Sequence, residues 1–304
     1  GARLQGQGSV QPQPFSTQGQ WRVAAPGLDS VITGSVSAQA GNGQLSVNAS
    51  KLAQVHQWLR SLPLPSDMTL PSWPLDGDAR IEAKWQGGWD NAKGPNVQAT
   101  LSSRRISAQP DPQRPPVVTQ SVEIDLTGNR TVANIGLVAG VSHDGLATQL
   151  QLQAQGRSTQ TGYQVVVQPS QVWLRQGKAS QSLTLQTGQA MTLDWQASRW
   201  TLGPGSLQLS ASTDATPPKP SASTSPQASA SLRWAHIGAA KGVLSAQGEV
   251  DRLALDWLDS VPGLLGPSQQ RWLADAGVRS DLVWAGPWRV EWPLGAGVTT
   301  SPDL

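Results

Sequence analysis

Few side chains in this 304-residue sequence have the type and spacing that acid–base or metal chemistry needs. His56, His143 and His236 are far apart in the chain, and none has a second ligand at the short spacing that protein metal sites use. Asp76 and Asp78 are separated by one glycine, which indicates a turn rather than an acid–base pair. We therefore expect no catalytic residues, no metal and no cofactor.

The sequence also lacks the common nucleophile and nucleotide-binding motifs. It has no cysteine, which excludes disulfides, thiol nucleophiles and zinc sites built on cysteine. It has no Gly-x-Ser-x-Gly elbow, P-loop or dinucleotide fingerprint. The net charge of +2 and the scattered basic residues do not form the positive patch of a nucleic-acid binder. We expect a non-enzymatic protein without a nucleic-acid partner.

The composition departs from that of an ordinary globular protein. Charged residues make up 14% and hydrophobic residues 38% of the chain, both below the usual shares. There are 14 tryptophans but only one phenylalanine (Phe15) and one tyrosine (Tyr163). No stretch approaches 18 apolar residues, and the N-terminus lacks the basic and apolar regions of a signal peptide. If the protein is exported, we expect this chain to be a piece of a longer one.

Apolar residues alternate with polar ones over most of the chain, in short segments that end at Gly, Asn, Asp or Pro. This period of two predicts about fifteen half-buried β-strands. Gly41-Asn42-Gly43 predicts the turn of a hairpin between two of them. The alternating apolar positions are Val36, Ala38, Leu45, Val47, Ile81, Ala83, Leu101, Val122, Ile124, Leu126, Leu150, Leu152, Val165, Val167, Leu183, Leu185, Leu193, Leu207, Leu209 and Leu232.

Strands with one apolar and one polar face predict an antiparallel sheet that faces water on one side. A sheet of this many strands must curl, close or be covered. The plainest alternative is a pair of β-sandwiches.

Three stretches have helical rather than alternating spacing. Residues 50–62 carry apolar side chains at 52, 55, 59 and 62 behind Ser50, a predicted N-cap. Val250, Leu253, Trp257, Leu258 and Val261 predict a second short helix, and 269–276 a third. Residues 213–229 are rich in Pro, Ser and Thr and predict a disordered loop between strands.

Two parts of the chain repeat each other at an offset of 199 residues, without a gap. Each unit is predicted to run from a strand through a helix and a Pro/Gly-rich connection to a strand ending in Trp-x-Gly-x-Trp. The matched pairs include Gly43/Gly242, Leu45/Leu244, Trp58/Trp257, Trp73/Trp272, Trp85/Trp284 and Trp89/Trp288. We interpret these tryptophans as structural residues that cover the sheet where a helix lies on it, because a buried indole removes a large area from water. Carbohydrate stacking on exposed tryptophans is the alternative.

The motifs of the chain resemble the TamB family, AsmA-like proteins of the translocation and assembly module of Gram-negative bacteria. The likeness lies in the segment 58–65, which ends in Leu-Pro-Leu-Pro, and in 75–89, which ends in Trp-Gln-Gly-Gly-Trp. Residues 172–174, 193–195 and 200–202 are similar to the middle region of the family. The family's N-terminal membrane anchor and the C-terminal segment that engages the outer-membrane partner TamA have no counterpart here, which implies a central fragment.

The resemblance implies a mainly β fold, an elongated antiparallel sheet curved into a U-shaped trough (a β-taco) with a few short helices. One continuous trough would cover 1–304, with repeat units at about 31–110 and 230–304 joined by a β region at 117–212. It implies a periplasmic conduit that carries phospholipid between the inner and outer membranes, its groove lined by the alternating apolar residues. The alternative is a chaperone-like scaffold that assembles outer-membrane proteins and autotransporters by β-augmentation. A β-solenoid with a dry core is the third possibility.

Overall fold

The computed structural model describes residues 1–13, 15–62, 73–111, 113, 115–143, 145–176, 182–212, 230–240, 242–254 and 283–293. These residues form twenty β-strands and one helix, and every strand pairing is antiparallel. The predicted mainly β, antiparallel fold is therefore confirmed. The chain divides into two compact units, Gly1–Asp144 and Gly145–Leu304. That these units form one continuous trough stays a prediction.

Unit 1 is a meander of long strands. The order of neighbours is β1, β2, β3, β4, β6, β7, β9 and β10, so only the short β5 and β8 interrupt the sequence order. The strands are β1 (Arg3–Pro12), β2 (Phe15–Ala25), β3 (Leu28–Ser37), β4 (Gly41–Ala49), β5 (Leu75–Gly77), β6 (Ala79–Gln86), β7 (Asn96–Ser103), β8 (Ile106–Ala108), β9 (Val117–Gly128) and β10 (Val132–His143).

At two neighbouring places in the sheet of unit 1, two strands follow each other in line with a short break between them, and the two breaks lie side by side. Asp78 separates β5 from β6, and Arg104 and Arg105 separate β7 from β8, while β9 runs past both β7 and β8 unbroken. The two breaks are joined, because the Asp78 N–H donates to the Arg105 carbonyl (3.1 Å) and Arg104 forms an ion pair with Asp78 (3.4 Å). The register between β9 and β10 also shifts next to Gly140. Breaks and bulges of this kind let a sheet bend.

The first predicted helix is confirmed as α1 (Leu52–Arg60), which packs against β5. Its N-cap is Lys51 rather than Ser50, and no side chain caps it. At its other end, the N–H (3.0 Å) and the Oγ (2.6 Å) of Ser61 both donate to the Trp58 carbonyl, one of the last carbonyls of the helix.

Unit 2 contains the other ten strands. Its long first strand β11 pairs with both β12 and β13, and β18 pairs with both β16 and β17. The strands are β11 (Leu146–Ser158), β12 (Gly162–Val167), β13 (Gln171–Gln176), β14 (Ser182–Thr187), β15 (Met191–Gln196), β16 (Arg199–Leu202), β17 (Gly205–Ser212), β18 (Ala230–Ala240), β19 (Val243–Ala254) and β20 (Val283–Pro293).

Unit 2 has three breaks between consecutive strands, and the breaks lie side by side. They separate β12 from β13, β14 from β15, and β16 from β17. Pro169 and Pro204 lie in the first and third breaks, where a residue without an N–H cannot continue a ladder. Hydrogen bonds still link the breaks, since Thr187 N donates to Ser170 O (2.9 Å) and Gly203 N donates to Thr192 O (2.7 Å).

Two local predictions are wrong. The hairpin turn is not at Gly41-Asn42-Gly43, which begins strand β4; the turn lies one step earlier, closed by the Ser37 N–H donating to the Ala40 carbonyl (2.9 Å). Val250 and Leu253 are not helical but lie in β19. Trp257, Leu258 and Val261, the third predicted helix, and the predicted disordered loop at 213–229 lie outside the described residues.

The 199-residue repeat holds for strands but not for their register. The repeat places most of β4 on β19 and the end of β6 on the start of β20, and both strand pairs are hydrogen-bonded neighbours. Gly43 is opposite Trp85, but Trp284, the match of Trp85, is opposite Leu253. Trp85 and Trp284 therefore do not occupy equivalent positions in the two units.

Candidate functional site: the apolar sheet face

One face of unit 1 is built from rows of residues that stand opposite each other across all eight long strands. A central row runs through positions held mostly by aliphatic side chains, and the next row follows two residues along every strand. Neither row contains a charged residue. The first row is Leu4, Val23, Ser30, Val47, Ile81, Leu101, Ile124 and Leu137, and the second is Gly6, Trp21, Ile32, Leu45, Ala83, Ala99, Leu126 and Ile135.

Unit 2 has an equivalent face. Residues 150, 152, 154 and 156 of β11 alternate with polar neighbours, so the rows that start from Leu150 and from Gly156 lie on the same face. The row from Leu150 is Leu150, Val172, Leu185, Leu209, Ala230 and Leu253. The row from Gly156 is Gly156, Val165, Leu193, Leu202, Ile237, Ala246 and Val290. We call these rows and those of unit 1 the apolar face of each unit.

The charged side chains of the same ladders alternate with these rows and lie on the opposite, polar face. In unit 1 they are Arg22, Asp29, Arg80, Glu82, Lys84, Glu123 and Asp125. In unit 2 they include Arg157, Asp194, Arg199, Arg233, Glu249, Arg289 and Glu291. Each unit therefore presents two chemically different faces.

Ion pairs hold the carboxylates of the polar face in their charged form. Arg22 donates two hydrogen bonds of 2.9 Å to Asp29 and keeps the pKa of Asp29 below its usual value. Arg80, with a second bond from the Ser46 hydroxyl (2.9 Å), keeps the pKa of Glu82 below its usual value in the same way. These groups stay ionised and solvated at neutral pH, so water covers the polar face around them.

The apolar face is covered only in part. Of the predicted lining residues, Leu183 is buried and the others are half-buried, although most of them are large aliphatic side chains. Among the described residues, no side chain reaches the complete burial of a packed core. A closed sandwich would bury such rows against a second sheet, so the half-buried rows favour a face that is open to another molecule.

The structure places the predicted lining residues consistently. Except for Ala38, all of them lie on strands at apolar-face positions. Ala38 lies in the turn between β3 and β4, where its carbonyl accepts a hydrogen bond from the Asp90 N–H (2.9 Å). Whether these side chains contact lipid stays a prediction.

The predicted structural tryptophans have several different roles. Trp58 is half-buried in α1, Trp73 is 39% exposed just before β5, and Trp89 packs on Phe15 with ring centroids 5.6 Å apart. Trp257 and Trp272 lie outside the described residues, and Trp284 lies in β20. Trp85 and Trp288 lie across Gly43 and Gly248 of the neighbouring strands. That a helix covers them stays a prediction.

Trp–Gly pairs occur on the apolar face of both units. Added Cβ atoms would lie 2.3 Å from the Trp85 ring at Gly43 and 2.3 Å from the Trp234 ring at Gly205. Each glycine is therefore required because an indole occupies the space where its side chain would be. Trp21 over Gly6 and Trp288 over Gly248 repeat the arrangement.

Sequence reasoning missed this pairing, although Gly and Trp are both abundant. It also missed a row of four glycines, Gly8, Gly19, Gly34 and Gly43, that stand opposite one another across β1 to β4. The signal that could have found them is their place in the alternation, because each glycine occupies a position of its strand where an apolar residue is expected.

The described residues contain no group of three or more His, Asp or Glu side chains that could hold a metal ion. No helix among them is long and apolar enough to cross a membrane. Comparisons with protein-family models, with curated proteins and with solved structures found no match to this chain.

Proposed function

We propose that the chain is a non-catalytic lipid conduit, in which the apolar face of each unit holds phospholipid acyl chains. The observation that carries this proposal is that the uncharged apolar rows are covered only in part. A fully packed face would need no ligand, whereas a half-buried row gains about 0.8 kcal/mol for each methylene that covers it.

The separation of charge supports the same function. A charge on the apolar face would lose its water when a chain covered it, at a cost of several kcal/mol. The apolar rows contain no charged residue, and the charged side chains of the same ladders lie on the other face. A surface that makes many weak apolar contacts, with no dominant residue, suits a lipid that moves along it.

The resemblance to the TamB family supports a location. The chain would act in the periplasm as part of an inner-membrane-anchored protein, and it would carry phospholipid between the inner and outer membranes. Its partners are then lipid acyl chains, TamA through other regions of the protein, and the inner membrane through an anchor.

The proposal is tested by mass spectrometry of the lipids that co-purify with the chain. We expect phospholipid, and we expect its amount to fall severalfold in Ile124→Asp, Leu152→Asp and Leu185→Asp, because a buried carboxylate opposes chain binding. Gln153→Asp and Gln186→Asp, on the other face, are the matched controls and should keep their lipid. A chain free of phospholipid, or equal loss in both sets, contradicts the proposal.

A second candidate is a scaffold that receives a strand of an outer-membrane protein. It is favoured by β1, whose ten residues are all exposed and whose paired strand among the described residues is β2. A strand that is open on one side can accept another strand. Strand β20, in contrast, carries Pro287, which has no N–H to donate to an added strand.

The two candidates differ in what they bind. A photo-crosslinker at Gln7 in β1 should capture unfolded polypeptide if the chain is a scaffold, and a crosslinker at Arg289 in β20 serves as the control edge. Capture of phospholipid by apolar-face positions, with no polypeptide at Gln7, favours the conduit.

A further inference from the structure

The apolar face of unit 2 ends in an aromatic row. The row lies two residues from Leu193 and Leu202 along their strands, one register position from the ends of β12, β15, β16 and β20. Tyr163 stands opposite Trp195, and Trp195 stands opposite Trp200. Beyond Trp200 the row continues with Ala239, Leu244 and Trp292 on the next three strands. We call Tyr163, Trp195, Trp200 and Trp292 the aromatic row.

The polar tips of the aromatic row are free to donate hydrogen bonds. Inside the apolar face, Trp85 donates to the Ser35 carbonyl (3.2 Å) and Trp234 to the Gly203 carbonyl (3.0 Å). The indole N–H groups of Trp195 and Trp200 bond to no acceptor within the described part of the chain, and neither nitrogen is buried. Their rings are nevertheless half-buried.

The two ends of the row are strongly exposed. Tyr163 is 56% and Trp292 64% accessible to solvent. Amphipathic rings with an apolar body and a free donor suit a boundary between an apolar surface and water. The row thus offers several donors where the apolar face ends, and the aliphatic rows beside it offer none from their side chains.

We infer that the aromatic row binds the ester and phosphate oxygens of a phospholipid whose acyl chains lie on the apolar rows beside it. The inference rests on the proposed function and adds the orientation of the lipid. Half of a bilayer core is about 15 Å thick, which corresponds to about four or five residues of strand. A chain that starts at Trp195 therefore ends near Met191 and Val167, where the strands break.

Two photoactivatable phospholipids test this orientation on the purified chain. One carries a diazirine in the head group and the other at the end of an acyl chain, and site-resolved mass spectrometry locates each crosslink. We expect the head-group probe to form crosslinks at Tyr163, Trp195 and Trp200. We expect the chain-end probe to form crosslinks at Val167 and Met191.

A variant with Trp195→Leu and Trp200→Leu keeps apolar side chains but loses two donors. We expect its head-group crosslinks at this end to fall about tenfold, as the loss of one or two hydrogen bonds implies, with the chain-end crosslinks retained. Tyr163→Phe removes one donor at an exposed site and should give a smaller fall. Trp58→Leu, in α1, is the matched control and should change neither.

Chain-end crosslinks on the apolar face, with head-group crosslinks spread evenly or unchanged in the Leu variant, overturn this inference alone. Crosslinks from neither probe on the apolar face overturn the proposed function as well.

Discussion

The indole of Trp85 lies across Gly43 on the neighbouring strand, and its Nε1 donates to the carbonyl of Ser35 one strand further on (3.2 Å). One side chain thus ties three adjacent strands of unit 1 together. A Cβ on Gly43 would lie 2.3 Å from the ring and 2.5 Å from the Thr33 carbonyl, and the latter cannot move without disturbing the ladder.

We predict that Gly43→Ala destabilises the protein by about 1–3 kcal/mol, as overpacking does. Urea unfolding of the purified chain measures the change. Gly136→Ala is the matched control, because its added Cβ would meet nothing closer than 3.8 Å. We expect the control to stay within about 0.5 kcal/mol of the parent. Equal stability of the two variants would show that the indole does not occupy this space in solution.

The sequence analysis failed at Gly41-Asn42-Gly43 for the same reason. Glycine next to asparagine is typical of a hairpin turn. Here Gly43 lies inside β4, and its missing side chain leaves the space that the Trp85 ring occupies. A contact between residues 42 positions apart in the sequence leaves no local signal. Strands β1 and β2 were missed in a similar way, because glycines occupy several of their apolar positions.

The error at Val250 and Leu253 has a different cause. The register of β19 shifts between these two residues, where the strand bulges. A bulge adds one residue, so positions three apart fall on one face of a strand. That spacing is also typical of a helix, and composition alone does not separate the two. Strands without bulges, such as β6 and β7, were predicted correctly.

The strand breaks of unit 2 provide a second prediction. The Thr187 hydroxyl accepts a hydrogen bond from the Ser170 N–H (2.7 Å) across the break between β12 and β13. Thr187→Val keeps the shape of the side chain but leaves this partly buried N–H without its acceptor. We expect a loss of about 1–3 kcal/mol in the free energy of unfolding. Thr187→Ser should restore most of it; a serine variant as unstable as the valine variant would assign the loss to packing instead.

The polar face provides a prediction about pH. The pKa values of Asp29 and Glu82 are below their usual values in the folded state, so the folded chain binds fewer protons there than the unfolded chain. The stabilisation by these pairs is therefore complete above the unfolded carboxyl pKa, about 4, and is lost as the pH falls through the lower folded values.

Carboxyl NMR titration tests this assignment. Arg22→Gln should raise the pKa of Asp29 and leave that of Glu82 unchanged, and Arg80→Gln should do the reverse. Each variant is thus the control for the other. A common shift of both carboxyls in either variant would point to the general field of the face rather than to the two pairs.

The most direct test of the lipid-binding face compares neighbouring residues on opposite faces. Photo-crosslinking amino acids are placed in cells at Leu185 and Ile124, on the apolar faces, and at Gln186 and Glu123, on the polar faces. We predict that the first pair captures phospholipid and the second pair does not. Lipid captured at Gln186 and Glu123, with none at Leu185 and Ile124, would contradict the central claim that acyl chains lie on the apolar face.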